Sequence, residues 1–425
     1  MIDKLRKKIF WIIQISLSII IFGIILLLTA FIYRNTITSS TMFMDRLEGR
    51  IENKDDKPSE LNVEKEEKNL YGVYKVRINN NSIDSKTEDT ASTESAQSAT
   101  LDNSKNFSIT FGGKYDLSGE YESVTINTSE EVTLNLTGVT ITNSNGPAIN
   151  VLKAKKVTIV LSGTNKITAT VTEDLNGAIY SKADLVFDGT GSLEIKSNYD
   201  GIVSKDTLVI KNGTYTINSG DDGIRGKDSV EILDGKFTIN AGGDGIKSSN
   251  DEDLSVGYIA ISGGTFNITA KSDGIQGITK VTITGGTYNI TSSEGIEATY
   301  IKIDDGTINI SASDDGINGS QKSNSGTPTI EINGGNITIK MGQGDTDGID
   351  VNGNLYINGG TINITGNSPF DYDGKAEYNG GTIIVNGEQT NTITNQMMGG
   401  GMKGGMPGQM NQGEERQVNG GRRGR

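Results

Sequence analysis

The triplet Asp/Glu-Gly-Ile returns along the second half of this chain at an almost constant spacing. It begins at residues 200, 222, 244, 273, 294, 315 and 347, and a degenerate copy begins at 373. The shortest steps are 21 or 22 residues, and two longer steps carry insertions at 248–258 and 319–328. A single unit of this length cannot bury its own apolar side chains. The repeats are therefore predicted to stack on one another.

A second motif recurs at the same spacing as the triplet and indicates that each repeat contains short strands. Segments such as GTFNI at 264–268 and GTYNI at 286–290 alternate apolar with polar residues after a glycine, which is the pattern of short strands with one buried side. This period predicts an all-β fold at 107–390, a right-handed, single-stranded parallel β-helix of about eleven coils. The residues expected to stack inside it are Tyr215, Phe237, Phe266 and Tyr288, and those expected outside are Asn267, Asn289, Asn309 and Asn363.

Stacked coils align the acidic residue of each triplet in a column, with neighbours about 5 Å apart. Each Ile is predicted to point inward, so the preceding acid is expected on or near the outer side of a corner. Like charges at this separation repel by about 1 kcal/mol in water, and a divalent cation between coils removes that cost. Calcium suits such oxygen ligands. The predicted calcium ligands are Asp221, Asp222, Asp244, Asp273, Glu294, Asp314, Asp315, Asp345 and Asp347.

The same column also has a purely structural interpretation. Each Asp then only caps backbone amides at a corner, and the following Gly supplies a positive φ. For a single coil this interpretation is the simpler one. Residues 251–388, however, carry 18 acidic and 6 basic residues, and this excess favours bound calcium for the column as a whole.

The composition limits the chemistry of any site to oxygen ligands and the cations of Lys and Arg. The chain of 425 residues contains no cysteine and no histidine, and its formal net charge is −14. Disulfides, thiol nucleophiles and Ser-His-Asp catalysis are therefore excluded, and zinc or haem sites nearly so. The acidic balance argues against a nucleic-acid partner, which requires a basic face.

The N-terminal region predicts a membrane anchor. Residues 9–33 carry no charge and, as a helix, would span about 37 Å, enough to cross a bilayer. Four basic residues within 1–8 precede them, so the positive-inside rule predicts a cytoplasmic N-terminus and an extracellular remainder, as in a single-pass cell-membrane protein. The alternative is a cleaved signal peptide, whose apolar region normally has about 7–15 residues. Residues 34–106 are predicted to be a mostly disordered linker, and 391–425 a disordered Gly/Met-rich tail.

The alternation of SGDDGI at 219–224, AGGDGIKSSND at 241–251 and SASDDGINGS at 311–320 with GGTxNI segments resembles a family of clostridial carbohydrate-binding proteins. The resemblance covers roughly residues 105–390 and implies an extracellular right-handed parallel β-helix similar to pectate lyases. It also implies calcium between acidic corners and binding to cellulose and to acidic sugars such as polygalacturonate. The implied calcium positions are Asp222, Asp244, Asp273, Glu294, Asp315 and Asp347.

Three functions remain open at this point. In a binding protein, calcium would bridge protein carboxylates to the uronate carboxylates of a polysaccharide, and no residue would be catalytic. A polysaccharide lyase would need a base, for which Lys247 and Arg225 are the candidates, although charge balance explains both. A structural spacer or adhesin is the third alternative. The chain is expected to be a monomer, and the predicted sugar contacts are Arg225, Lys247, Tyr258, Phe370 and Tyr372.

Overall fold

The computed structural model describes residues 73–77, 99–101, 105–342 and 346–395, the first two segments as backbone only. All of them belong to one unit of the chain, Leu61–Arg425. They form strands and no helix, which confirms the all-β prediction. In this described part, no helix is long and apolar enough to cross a membrane. The predicted anchor at 9–33 and most of the predicted tail lie outside the described residues.

The strands lie on three faces, which belong to one sheet of 13 strands and another of 24. We call the 13-stranded sheet the first face. The strand Ala99–Leu101 joins it in antiparallel orientation. Its parallel strands are Asn106–Ile109, Ser123–Asn127, Ile149–Lys153, Gly177–Ser181, Asp200–Ser204, Ile224–Gly226, Ile246–Ser248, Asp273–Gln276, Glu294–Ala298, Ile317–Gly319, Asp347–Val351 and Ser368–Tyr372.

The 24-stranded sheet comprises the second and third faces. The long strands Gly113–Tyr121 and Glu131–Asn143 run along both, Val73–Arg77 pairs with the former, and Glu388–Thr390 adds an antiparallel strand at the end. The second face continues with Lys156–Ser162, Asp184–Gly189, Thr207–Ile210, Ser229–Ile232, Tyr258–Ile261, Lys280–Ile283, Tyr300–Ile303, Thr329–Ile332, Asn354–Ile357 and Ala376–Tyr378. The third face continues with Thr164–Ala169, Ser192–Ser197, Thr214–Ser219, Lys236–Ala241, Thr265–Ala270, Thr287–Ser292, Thr307–Ala312, Asn336–Met341, Thr361–Thr365 and Thr382–Val385.

Successive repeats pair in parallel, so that each turn of the chain adds one strand to each face. Numbering coils by their first-face strands, from Asn106–Ile109 in coil 1 to Ser368–Tyr372 in coil 12, gives twelve coils in the described chain. This is one more than expected because some coils are shorter than 22 residues. Asn106 and Ser123, for example, pair between neighbouring coils and lie 17 positions apart. The parallel registers confirm the predicted stacking, whereas the right-handed crossover stays a prediction.

The predicted column of aromatic side chains forms the centre of the core. Tyr215, Phe237, Phe266 and Tyr288 are at most 1% exposed, and neighbouring rings are nearly parallel with centroids 4.7–5.0 Å apart. The hydroxyl of Tyr288 donates to the carbonyl oxygen of Gly285 at 2.8 Å, which satisfies its one polar group. The column continues with Ile308, Ile337, Ile362 and Ile383, all fully buried. These rings are therefore core residues and offer no platform to a sugar.

Glycine serves two different purposes in the two motifs. A Cβ on Gly245 of the triplet would lie 2.6 Å from the carbonyl oxygen of Gly274 in the next coil, and one on Gly295 would lie 2.3 Å from that of Gly316. Neither Gly245 nor Gly295 has a positive φ, so the expectation that the triplet glycine supplies one is wrong. It is needed because the coils approach too closely for a side chain. The positive φ occurs instead in the GGT segments, as at Gly264 with 108°.

Candidate functional site

The acidic corners lie where each coil passes from the third to the first face, and their aspartates are buried. Asp200, Asp222, Asp244 and Asp273 are at most 4% exposed, which corrects the expectation that these carboxylates lie on the outer side of the corner. The physical reason is a ladder of hydrogen bonds between coils. The backbone N–H of Asp222 donates to Oδ1 of Asp200 at 3.0 Å, and those of Asp244 and Asp273 donate to the preceding carboxylate at 2.9 Å.

The ladder agrees with one part of the structural interpretation, the capping of backbone amides, at Asp200, Asp222, Asp244 and Asp315. Each carboxylate satisfies an amide that would otherwise be buried without a partner, and the N–H of Asp347 repeats the contact to Oδ1 of Asp315 at 3.1 Å. Glu294 pairs in register with Asp273 but makes no such ladder bond in the described chain. One oxygen of each ladder aspartate is thereby used, and the second remains for another partner.

In coils 5 to 7 that second oxygen faces a cation. A guanidinium nitrogen of Arg225 lies 2.6 Å from Oδ2 of Asp200, and another lies 3.8 Å from Oδ2 of Asp222. Nζ of Lys247 lies 2.5 Å from Oδ2 of Asp244 and 3.7 Å from Oδ2 of Asp222. The structure therefore brings Arg225 and Lys247 to the acidic column, as predicted, but as its internal counter-charges.

The protonation of Lys247 follows from these contacts. Burial alone lowers the pKa of this lysine, but the carboxylates of Asp222 and Asp244 outweigh the burial and raise the pKa above its ordinary value. A lysine held in its charged form cannot accept a proton near neutral pH. The side chain is suited to neutralising the buried carboxylates, and poorly suited to acting as a lyase base.

From coil 8 onward the column loses these cations. The positions aligned with Arg225 and Lys247 are Gln276, Glu297, Asn318 and Asp350. Carboxylate oxygens of Asp273, Glu294 and Glu297 lie within 4.8 Å of one another. We call these three residues the acidic cluster. Its cationic contact in the described chain is Lys322, with Nζ 2.6 Å from Oε2 of Glu297.

The electrostatics of the acidic cluster are those of crowded, buried anions. Burial and then the negative charges of Asp244, Glu297 and Glu294 raise the pKa of Asp273 to about 8. Burial, followed by Glu297 and Asp315, raises the pKa of Glu294 to about 7. Without a further cation, Asp273 and Glu294 hold protons at pH values where an exposed carboxyl group is ionised.

Asn318, in coil 10, provides an oxygen that lacks a donor. Its Nδ2 donates to Oε2 of Glu294 at 3.1 Å and to Oδ2 of Asp315 at 3.3 Å. The side chain is 7% exposed, and its Oδ1 has no hydrogen-bond partner among the described residues. Buried acceptors are normally satisfied by a donor, water or an ion. Beside carboxylates, an unsatisfied amide oxygen fits a hard cation.

The negative charge continues into coils 10 to 12. Burial and then Asp315, Asp347, Asp371 and Asp373 raise the pKa of Asp350 to about 7. The pKa of Asp315 is raised by burial to about 6, although its hydrogen bond from the Asp347 amide lowers it. Asp314 is exposed at the rim of this region, and the predicted ligand Asp345 lies outside the described residues.

A second acidic group, Asp200, Asp221 and Asp222, also has its oxygens within 4.8 Å of one another. Here Arg225 already supplies a positive charge at 2.6 Å, although burial still raises the pKa of Asp200 to about 7. The predicted metal ligands Asp222 and Asp244 therefore have protein cations as partners. Lys247 is a second cation for this group, 3.7 Å from Oδ2 of Asp222, so the acidic cluster, with Lys322 as its cationic contact, has the larger charge deficit.

Four residues of this region were not among the predicted ligands: Asp200, Glu297, Asn318 and Asp350. Asp200 opens the first triplet of the series, and Glu297, Asn318 and Asp350 follow the triplets by one residue. That position alternates with the buried Ile and therefore returns to the same side of the first face in every coil. Aligning the repeats would therefore have placed Glu297, Asn318 and Asp350 beside the acidic column.

The predicted aromatic sugar contacts are not gathered at the acidic column. Phe370 is 1% exposed and packs in the core, so its ring cannot stack on a sugar, because the first-face position that it occupies points inward. Tyr258 lies on the second face and its hydroxyl donates to Oε1 of Glu231 at 2.6 Å. Tyr372 ends the first face in coil 12 and packs partly against the core.

The chain is similar to a solved structure and matches a protein-family model. A solved structure of the polysaccharide lyase-like protein from C. thermocellum, a gadolinium derivative, is 31% identical, covers 51% of this chain and 91% of its own, and has a TM-score of 0.45. The comparison with curated proteins finds no similar sequence. The family model described as carbohydrate-binding domain-containing protein matches residues 103–348 and 294–418. The matches include every described acidic corner, and the chain belongs to this carbohydrate-binding domain family.

Proposed function

We propose that this protein is a membrane-anchored, cell-surface carbohydrate-binding protein that recognises acidic plant or cell-wall polysaccharide with the help of calcium. Family membership supports a carbohydrate partner. The observation that supports calcium binding is the acidic cluster, in which three carboxylates converge within 4.8 Å. Repulsion between buried carboxylates lowers the stability of the folded protein, and a bound divalent cation would offset this repulsion.

The ligand set favours calcium over a transition metal. Asp273, Glu294 and Glu297 offer carboxylate oxygens, and the neighbouring Asn318, whose Nδ2 donates to Glu294, has an Oδ1 without a donor among the described residues. Oxygen ligands of this kind suit a hard cation, and calcium accepts their irregular geometry more readily than magnesium. When bound, calcium supplies positive charge and open coordination positions that a uronate carboxylate can occupy.

The location of the protein is proposed from its N-terminal sequence. The uncharged residues 9–33 follow the basic residues of 1–8, which favours a single-pass anchor with the carbohydrate-binding region outside the cell. In a monomeric anchored protein, residues 34–72 would separate the anchor from the strand Val73–Arg77, which pairs with the β-helix, and would hold that region away from the membrane. This arrangement suits capture of a polysaccharide that cannot enter the cell.

A calcium-dependent polysaccharide lyase is the second candidate. It is favoured by the position of Arg225 and Lys247, which lie in neighbouring coils beside buried carboxylates. The ion pairs of Lys247 argue against it, because they raise the pKa of this lysine and hold it in its charged form. Binding without cleavage therefore agrees better with the contacts of these two residues.

The two candidates are separated by assays on one sample of the full chain in mild detergent. Sedimentation with polygalacturonate or cellulose, in calcium or in chelator, measures binding. Absorbance of unsaturated uronate products over hours measures cleavage. We expect calcium-dependent retention by polygalacturonate without product, and much weaker retention of the double variant Glu294→Gln/Glu297→Gln.

The matched control is Glu122→Gln/Glu173→Gln, which removes two exposed carboxylates outside the column and should bind as the parent does. Product that disappears in Lys247→Ala or Arg225→Ala would make the protein a lyase. Failure to bind any glycan in calcium would refute carbohydrate recognition and favour the spacer.

A further inference from the structure

A groove lies beside the acidic cluster, where the third face turns into the first. It crosses the ends of coils 7 to 10, has a volume of about 480 Å³ and is open to solvent. Its polar lining is formed by side chains with hydroxyl or ammonium groups. We call it the lysine groove and define it by Lys271, Thr291, Ser293, Ser311, Ser313 and Lys340.

The coil register sets the arrangement of these side chains. Thr291, Ser311 and Lys340 align in consecutive coils, and Lys271 follows the third-face strand of coil 7. Because neighbouring coils are about 4.8 Å apart, three steps separate the two lysines by about 14 Å along the axis. Side chains with hydroxyl groups lie in the coils between them. The buried residues Ala270 and Ala312 also line the groove, and their small side chains leave it space.

The two lysines differ from the cations of the acidic column. Lys271 and Lys340 are exposed, and neither forms an ion pair with any residue in the described ranges. The hydroxyl groups of Thr291, Ser311 and Ser313 are likewise exposed and have no hydrogen-bond partner within those ranges. Both kinds of group are therefore available to a ligand, the lysines for anions and the hydroxyls as donors or acceptors.

The groove directly borders the acidic cluster, since Ser293 precedes Glu294 in the chain. We propose that the lysine groove is the subsite that binds the carboxylates of a uronate chain, with Lys271 and Lys340 each holding an anionic sugar and the hydroxyls between them contacting the ring oxygens. This inference rests on the proposed function and gives it a location. It gives a protein with a net charge of −14 two exposed ammonium groups with which to bind a polyanion.

The test compares the full chain in mild detergent with Lys271→Ala/Lys340→Ala. Affinity is measured in calcium for immobilised polygalacturonate, for a sulfated glycan and for neutral cello-oligosaccharides. Two exposed lysine–carboxylate contacts should account for about a tenfold loss for polygalacturonate, with neutral binding and melting temperature unchanged. The control, Lys182→Ala/Lys236→Ala, removes two other exposed lysines and should retain the parent affinity.

The outcomes distinguish this inference from the proposed function. If the parent binds polygalacturonate and the groove variant binds equally well, or no worse than the control variant, the groove assignment is wrong while the proposed function stands. If the parent binds no glycan, both are wrong. Tighter binding of the sulfated glycan than of polygalacturonate would overturn the assignment to carboxylates. Restoration of affinity by Lys271→Arg/Lys340→Arg, together with the selective tenfold loss, would support it.

Discussion

At the scale of single residues, the corner aspartates do two things with their two carboxylate oxygens. One oxygen accepts a hydrogen bond from a backbone N–H of the next coil. The other lies beside a side chain of the first face, which is Arg225, Lys247, an amide or another carboxylate. The identity of that partner decides whether the corner carboxylate is neutralised by a protein cation or lies beside neutral and acidic side chains. A single substitution one residue after the triplet is enough to change it.

This division predicts the effect of removing Lys247. In Lys247→Met, Asp222 loses one cation and Asp244 loses its nearest one, so both buried carboxylates are left with less compensation. Breaking a fully buried pair costs about 3–5 kcal/mol. Because the Lys247 side chain is 25% exposed, we expect about 1–3 kcal/mol, measured by denaturant unfolding. Lys196→Met, at a lysine that is 54% exposed and pairs with Glu194, should cost less than about 0.5 kcal/mol. Equal losses for the two variants would contradict the counter-charge role of Lys247.

The sequence revealed which acids align, but not that they are buried. The spacing of the triplets aligns Asp222, Asp244 and Asp273 correctly in neighbouring coils. Whether a corner side chain turns outward or back onto the next amide depends on local backbone geometry, which a period of 22 residues does not encode. Phe370 shows the same limit, because its inward position became evident only from its pairing with Ile349.

At the scale of strands, the third face was the most predictable element. Its alternation of buried and exposed residues appears directly in the sequence, and the structure confirms it in strands such as Lys236–Ala241 and Thr265–Ala270. The outer amides also align as expected, with Nδ2 of Asn289 donating to Oδ1 of Asn267 at 3.0 Å. Parallel pairing of identical motifs makes register the natural consequence of repetition.

The aromatic stack of the third face is predicted to make a measurable contribution to the free energy of unfolding. In Phe266→Ala, the ring that lies 4.7 Å from both Phe237 and Tyr288 is lost. Such a truncation in a packed core costs about 3–5 kcal/mol, which unfolding by denaturant should detect. Thr238→Ala, at an exposed position of the neighbouring third-face strand, should cost less than about 0.5 kcal/mol. A loss below about 1 kcal/mol for Phe266→Ala would mean that the stack contributes little to the core.

At the scale of the β-helix, the acidic column divides into two parts. Coils 5 to 7 contain their own cations, whereas coils 8 to 12 carry aligned amides and carboxylates in the same positions. The sequence shows this imbalance as 18 acidic against 6 basic residues at 251–388. Composition indicated the region, but only the structure shows that the oxygens of the acidic cluster converge within 4.8 Å and that Oδ1 of Asn318 lacks a hydrogen-bond partner among the described residues.

The acidic cluster predicts one contribution to how stability varies with pH. The pKa values of Asp273 and Glu294 are raised to about 8 and about 7 in the folded protein, from ordinary values of 3.8 and 4.5. The folded chain then holds these protons more tightly than the unfolded chain. Their stabilising contribution is complete below about pH 4 and is lost as the pH rises through 7 and 8. Calcium, which competes with those protons, should restore it.

Thermal melting of the full chain in mild detergent, with calcium or with chelator at pH 5 and pH 8, tests the central claim most directly. In chelator, the melting temperature should be lower at pH 8 than at pH 5. Calcium should raise it by several degrees at pH 8 and by less at pH 5, since a ligand that binds the native state alone stabilises it. Glu294→Gln/Glu297→Gln should lose most of the calcium response. Identical melting curves in calcium and in chelator at pH 8 would contradict a calcium site in the acidic column.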